Sequence, residues 1–248
     1  MLKIEEFVTP SPEQWEIVIK GMRNPKNSWD RMDSTACWDA EVRCVDCEFY
    51  GTEACDNIKY LLGPNDRDLA NRLVNGGPVH AKFRRMLPVH ITIDAPLYWW
   101  KEFETYRVGV CPNPTDIEIN SCSTMHKIHS KEFTLEDFST EHLIDDSAAL
   151  ISLDAPDTPL SDLMYDISKL NTYRTLYLKT KGKEWWWQMI QRLPTNYNQK
   201  RTIMLNYEVL ANIYQWRRNH KLDEWHVVCD WIEKLPYSEL ITGKKENE

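Results

Sequence analysis

The sequence predicts an α+β protein, helix-rich with a small central sheet. Two observations carry that class. Several stretches in the second half repeat apolar residues at helical spacing, and one stretch, LPVHITID, alternates at strand spacing. Helix-start signals support it: Ser11-Pro12-Glu13-Gln14 before WEIVIKGM reads as a capped first helix with Pro near its first turn.

In order along the chain, MRNPKNSWDRMDS is a polar turn region, and residues 37–56 hold four cysteines with little periodicity. GPNDRDLANRLVNGG reads as a capped helix from Asp66 ending at Gly76-Gly77, with Leu69, Leu73 and Val74 as its buried face. The alternation over 89–93 predicts a strand, broken by Ala95-Pro96 and followed by a helix over PLYWWKEFETYR. CPNPTDIEI, with two prolines, reads as a loop or hairpin, FTLEDFSTEHL as a short capped helix, and SLDAPDTPLSD as an internal linker. Helices are then expected over LSDLMYDISKLNTYRTLYLKT, over KEWWWQMIQRLP and from about Met204. DEWHVVCDWIEKLPY either continues that last helix or forms its own.

With 248 residues the chain can bury a sizeable core. Its eleven Trp and eleven Tyr against eight Gly point to large aromatic contacts rather than a glycine-rich sandwich. A formal charge of −8 argues against a dedicated binder of nucleic-acid polymers, while leaving room for a local basic pocket for one nucleotide. No apolar run is long enough to span a membrane, and MLKIEEFVTPSPEQ lacks a signal-peptide core, so a soluble, cytoplasmic protein is expected. Seven cysteines, an odd number, do not suit a closed disulfide framework. Cys37, Cys44, Cys47 and Cys55 form C-x6-C-x2-C-x7-C; the central C-x2-C has the spacing of a structural zinc site, but the outer spacings are irregular. The alternative is four reduced thiols. NSCSTMH has no glycine elbow or His/Asp partner, so no Ser or Cys nucleophile is expected.

The run over 193–224 is the most informative. In a helix from Met204, Asn206, Arg217, His220 and Glu224 would lie within about 40° of one another, among Val209, Leu210, Ile213 and Trp216. Buried polar groups without partners cost several kcal/mol, so such a face should meet a polar ligand or another subunit.

Three blocks in this order resemble the flavin-dependent thymidylate synthases. GGPVHAKFRR corresponds to that family's Gly/His turn before a strand. DAPLYWWKEFETYRVG…INSCSTMH corresponds to its R-H-R-x-x-S signature and its N-E-x-S-x-R-Y run. Leu193-Pro194, Asn206, Asn212 and Arg217 reproduce its Leu-Pro, Asn, Asn, Arg spacing without a gap, with His220 close behind. The resemblance covers roughly residues 60–235. It divides the chain into an N-terminal helix and cysteine-containing segment over 1–60 and a family-like domain over 61–248, the two reading as one continuous domain.

The resemblance implies FAD as cofactor, NADPH and methylenetetrahydrofolate as co-substrates, and one-carbon transfer to C5 of a pyrimidine deoxynucleotide, dUMP or a variant such as dCMP. It also implies a homo-oligomer, a tetramer, with sites built between subunits. By position, His80, Arg107, Asn206, Asn212 and His220 match flavin contacts. Arg217 matches the arginine on the pyrimidine and is the catalytic candidate. Glu102, Asn120, Ser123 and Arg192 fall at or near nucleotide-binding positions. The departures fall on the opposite wall. The first two signature residues are Thr105 and Tyr106, the signature serine is Val110, and a loop is inserted before Asn120. The acidic residue of the second run is Ser121, its phosphate arginine is Met125, and another arginine falls at Ile190, beside Arg192. Lys200, Arg201, Arg192 and Lys127 are the cations that could compensate. The alternative is a non-catalytic nucleotide-binding or interaction protein on the same scaffold.

Overall fold

The structure, a computed structural model, describes residues 1–37, 59–107, 118–145 and 158–243. Their elements are β1 (Lys3–Val8), α1 (Pro12–Arg23), β2 (Thr35–Ala36), β3 (Tyr60–Leu61), α2 (Pro64–Asn75), β4 (Pro88–Pro96), α3 (Leu97–Phe103), β5 (Glu118–Ser121), α4 (Pro159–Thr180), α5 (Lys183–Arg192), β6 (Asn198–Asn206), α6 (Tyr207–Arg217), α7 (Asp223–Glu233) and α8 (Glu239–Thr242). The main sheet has the order β1-β4-β6-β5, and β2 pairs antiparallel with β3. This is the helix-rich α+β class that the sequence predicts. Among the described residues no helix is long and apolar enough to cross a membrane.

Local chemistry sets most boundaries. The Ser11 hydroxyl accepts from the Gln14 N–H and the Gln14 side chain accepts from the Ser11 N–H, a reciprocal cap that starts α1 with Pro12 in its first turn. Helix α2 starts two residues before Asp66, and its N-terminus is capped from a distance: the Asp33 carboxylate accepts from the Asn65 and Asp66 N–H groups at 2.8 and 3.0 Å. Gly63 is required there, because a Cβ would collide with Asp33. Asp66 itself turns inward to Arg23, and of the expected apolar face Leu69 is buried while Leu73 and Val74 are half-buried. FTLEDF holds only a 3-10 turn, Leu135–Asp137, capped reciprocally by Thr134 and Asp137.

Strands β1 and β6 are the main additions to the sequence reading. Strand β6 occupies 198–206, where no strand was expected and where a helix was expected from Met204. The Leu97 N–H donates to the Tyr197 carbonyl, Thr92 faces Thr202 at 3.0 Å, and the Tyr207 N–H donates to the Leu87 carbonyl, which fixes β6 antiparallel to β4.

The chain forms two compact units. The first comprises Met1–Glu5, Thr92–Glu104 and Asn120–Thr202. In it α4 packs along α5, and Ile128, Phe133, Phe138, Leu163, Leu170 and Met189 form an apolar cluster. The second comprises Glu6–Ile91, Thr105–Ile119 and Ile203–Glu248. Trp15 lies at its centre, stacked on Tyr60 and edge-on to Tyr207 and Tyr237. Ile19, Leu87, Val209, Leu210, Ile213, Trp225, Ile232 and Leu240 are buried in the same unit.

Candidate functional site

The polar face expected on one continuous helix is built differently. Helix α6 begins at Tyr207, after the strand, and ends at Arg217; a break at 218–222 separates it from α7. Asn206 is therefore not on the helix face. It is the N-cap, and its side-chain carbonyl accepts from the Val209 N–H at 3.0 Å. Glu224 lies in the first turn of α7 and is 3% exposed.

The break nevertheless assembles a cluster. The Arg217 Nε donates to the Tyr106 hydroxyl at 2.8 Å, and its guanidinium carbon lies 5.5 Å from the Tyr106 ring centroid and 4.9 Å from that of Trp225. Tyr106 and Trp225 meet edge-on at 5.7 Å, so the guanidinium is held against two aromatic faces. His220 follows in the turn: its N–H donates to the Arg217 carbonyl, its Nδ1 accepts from the Leu222 N–H at 3.2 Å, and its ring lies edge-on to Trp225 at 6.4 Å. Trp225 is wholly buried, Tyr106 is buried, and Arg217 and His220 are half-buried. The guanidinium is thus fixed in position, which suits it to polarise a carbonyl or meet an anion.

The other flavin-position residues of this unit are spread out. His80 is exposed in the turn after α2, its N–H on the Gly77 carbonyl and its ring against Gly76. Asn212 is half-buried on α6. The backbone of Arg107 closes the 3-10 turn Glu104–Arg107; its side chain, like Val110, lies outside the described residues.

Two solved structures match this chain almost end to end. A flavin-dependent thymidylate synthase of Helicobacter pylori complexed with FAD and dUMP superposes with a TM-score of 0.58 at 14% identity, covering 98% of this chain and 98% of that one. A second structure of thymidylate synthase X from Helicobacter pylori with FAD and dUMP gives 0.57 at 14%, covering 98% and 97%. The fold is that of the flavin-dependent thymidylate synthases. No family model and no curated protein matches the sequence.

On this thymidylate-synthase fold the residues expected at nucleotide positions, Arg217 apart, and the cations expected to compensate lie in the first unit, and most already have partners. Arg192 pairs with Asp166 at 2.7 Å, a hydrogen bond that raises its pKa further. Lys200 pairs with Glu5 at 2.6 Å. Arg201 pairs with Glu104 at 2.6 Å and stacks on Trp100 at 4.5 Å. Lys127 makes no ion pair with a described residue. Glu102 is half-buried on α3, and Asn120 is exposed on β5. The Ser123 hydroxyl accepts from the Lys127 N–H at 3.1 Å and shapes that turn. Met125, at the family's phosphate arginine, is exposed and apolar.

Sequence reasoning missed Tyr106 and Trp225. Tyr106 registers in the motif only as a departure, and Trp225 falls just past the run over 193–224, read only as part of a final helix, yet these two aromatics hold Arg217. The signal was a Tyr standing in a cationic signature. Of the cysteine cluster, Cys37 is half-buried, and Cys44, Cys47 and Cys55 lie outside the described residues. Among the described residues no group of His, Cys, Asp and Glu could hold a metal ion.

Proposed function

We propose that this protein is a flavin-dependent enzyme of the thymidylate synthase type, placing a one-carbon unit from methylenetetrahydrofolate on C5 of a pyrimidine deoxynucleotide, dUMP or a variant such as dCMP. The observation that carries the reading is Arg217, clamped by Tyr106 and Trp225, on a scaffold whose solved neighbours are complexed with FAD and dUMP.

The donor set suits a flavin. His80, Asn212, the Asn206 amide nitrogen and His220 offer the hydrogen-bonding groups that an isoalloxazine edge or a diphosphate needs, with the single Asn206 side-chain oxygen and the His220 Nδ1 committed to the backbone. Bound FAD, reduced by NADPH, would supply the hydride. Arg217 would stabilise negative charge developing on a pyrimidine carbonyl, an electrostatic role usually among the largest in catalysis. The Tyr106 hydroxyl would hold the guanidinium plane as that charge grows. No cysteine nucleophile is needed. The working assembly is proposed to be a cytoplasmic homotetramer.

The test is an absorbance spectrum of the purified protein with FAD titration, followed by NADPH oxidation with dUMP or dCMP. Flavin uptake and nucleotide-stimulated oxidation are expected. Arg217→Ala should lower nucleotide-dependent turnover at least a hundredfold, about 2.7 kcal/mol, with an unchanged circular dichroism spectrum. A colourless protein that takes up no FAD, or a fully active Arg217→Ala, refutes the reading.

One observation favours the alternative of a non-catalytic nucleotide-binding or interaction protein. Arg192, Lys200 and Arg201 are bound to carboxylates, and Met125 and Ile190 bring no charge, so the phosphate of a nucleotide finds no free arginine at these positions. Retained flavin with nucleotide-stimulated oxidation counts against that alternative.

A further inference from the structure

The turn between α4 and α5 and the segment just after β5 form an open surface cavity of about 390 Å³ lined by His126, Tyr177, Lys181, Lys183, Trp186 and Trp187. That is within the size range of small-molecule pockets. None of these residues belongs to the Arg217 cluster. We propose that this cavity is a binding site for a small planar aromatic anion, a ring carrying a phosphate or a carboxylate.

Three observations support it. The walls are rings: His126 stacks on Trp186 at 6.5 Å and 20°, and Trp187 meets Trp186 edge-on at 4.8 Å. The Trp186 indole N–H is spent on the Met125 carbonyl and fixes that wall, whereas Trp187 is 41% exposed and its indole N–H has no partner among the described residues. The charge is positive: neither Lys181 nor Lys183 pairs with a described carboxylate, in a chain of net charge −8, and the Lys181 ammonium lies 5.7 Å over the Tyr177 ring. Glu184, the nearest acid in sequence, folds back on Gly182 and does not line the cavity. Lys181 is held in place as the left-handed C-cap of α4, φ 57°, its N–H on the Tyr177 carbonyl. Behind the rings, His129 packs on Tyr177, and its pKa is lowered first by burial and then by Lys127, Lys181 and Arg174, so cations dominate the local field.

Such a site discriminates by requiring both halves of the ligand. Stacking on an aromatic is tolerant of ring identity; the lysines supply the anion contact.

The experiment is calorimetric titration of the full chain with AMP, indole-3-acetate, adenosine and inorganic phosphate. At least one of the two ring-bearing anions is expected to bind ten times more tightly than adenosine or phosphate alone, and which one wins assigns phosphate or carboxylate. Lys181→Glu/Lys183→Glu should weaken that binding at least tenfold, and Trp187→Ala several-fold, with elution volume and circular dichroism unchanged; Lys181→Gln/Lys183→Gln stands in if charge reversal disturbs folding. Arg217→Ala should leave this binding intact, which separates the site from the proposed reaction. Equal binding of phosphate, adenosine and ring-bearing anions overturns the proposal, as does binding that survives the lysine changes or disappears in Arg217→Ala.

Discussion

Asp66 shows how much one side chain can organise. It is fully buried, and its Oδ1 accepts from the Arg23 Nε at 2.5 Å while its Oδ2 accepts from the Asp33 N–H, the Ser34 N–H and the Ser34 hydroxyl. Burial pushes its carboxyl pKa up, but the Ser34 hydroxyl, the Asp33 N–H and the Arg23 guanidinium outweigh it and hold the carboxyl below its usual range. The stabilisation from the ionised form is therefore fully present above the unfolded value, about 3.9, and is lost as pH falls through the lower folded value. Asp66→Asn should cost about 3–5 kcal/mol at pH 7, because it leaves the Arg23 charge buried and unpaired. Its stability should also lose the acid dependence of the parent over that window. Urea unfolding from pH 7 to pH 2 checks both, and a variant with the parent's stability and pH profile would contradict the account. The sequence offers Asp66 only as a helix-start residue, since its partner is 43 positions away.

At the scale of elements, β6 and α6 show where pattern reading stops. Residues 198–202, NQKRT, carry no apolar alternation, so nothing local marks a strand. The strand exists because its polar groups are satisfied by neighbours: the buried Gln199 donates its amide to the Cys122 carbonyl at 2.6 Å, its own carbonyl takes the Trp100 indole N–H at 2.8 Å, and Arg201 lies on the Trp100 ring. Where strand meets helix, Asn206 does two jobs that a substitution can separate. Asn206→Asp keeps the oxygen that caps α6 but loses the amide nitrogen offered to a flavin. Asn206→Ala loses both and should destabilise the protein by about 1 kcal/mol. FAD affinity should fall in both variants and thermal stability mainly in the alanine one. Equal FAD affinity across parent and both variants would remove Asn206 from the cofactor site. By contrast, α1, α4 and α5 are legible in the sequence, because Ser11-Pro12 and the apolar spacing act within a few residues of one another, although α4 begins at Pro159, capped by Thr158 inside the stretch expected as a linker.

The two units each have a core, and the cores can be probed separately. Leu170, 1% exposed, fills the apolar cluster of the first unit, and Ile213, wholly buried, lies on the inner face of α6 in the second. Truncating either to alanine should cost about 2–5 kcal/mol, because the cavity left behind relaxes only in part. Denaturant unfolding measures each loss, and a change below about 1 kcal/mol would show that the site collapses or was never tightly packed. Ile213→Ala should also loosen the proposed Arg217 site, since Ile213 is on the helix that carries Arg217.

By itself the sequence determined the α+β class, the helices with local caps, the strand of alternating Val89, Ile91 and Ile93, and the register that singles out Arg217. Each is set by residues close together in the chain. Tertiary structure alone decided that the expected helix from Met204 is a strand, a cap and two shorter helices. It also decided that Tyr106 and Trp225 clamp Arg217, and that Arg192, Lys200 and Arg201 are held by carboxylates. Those outcomes depend on partners up to 195 positions apart, as with Glu5 and Lys200, and short-range periodicity carries no information about which distant group will satisfy a charge.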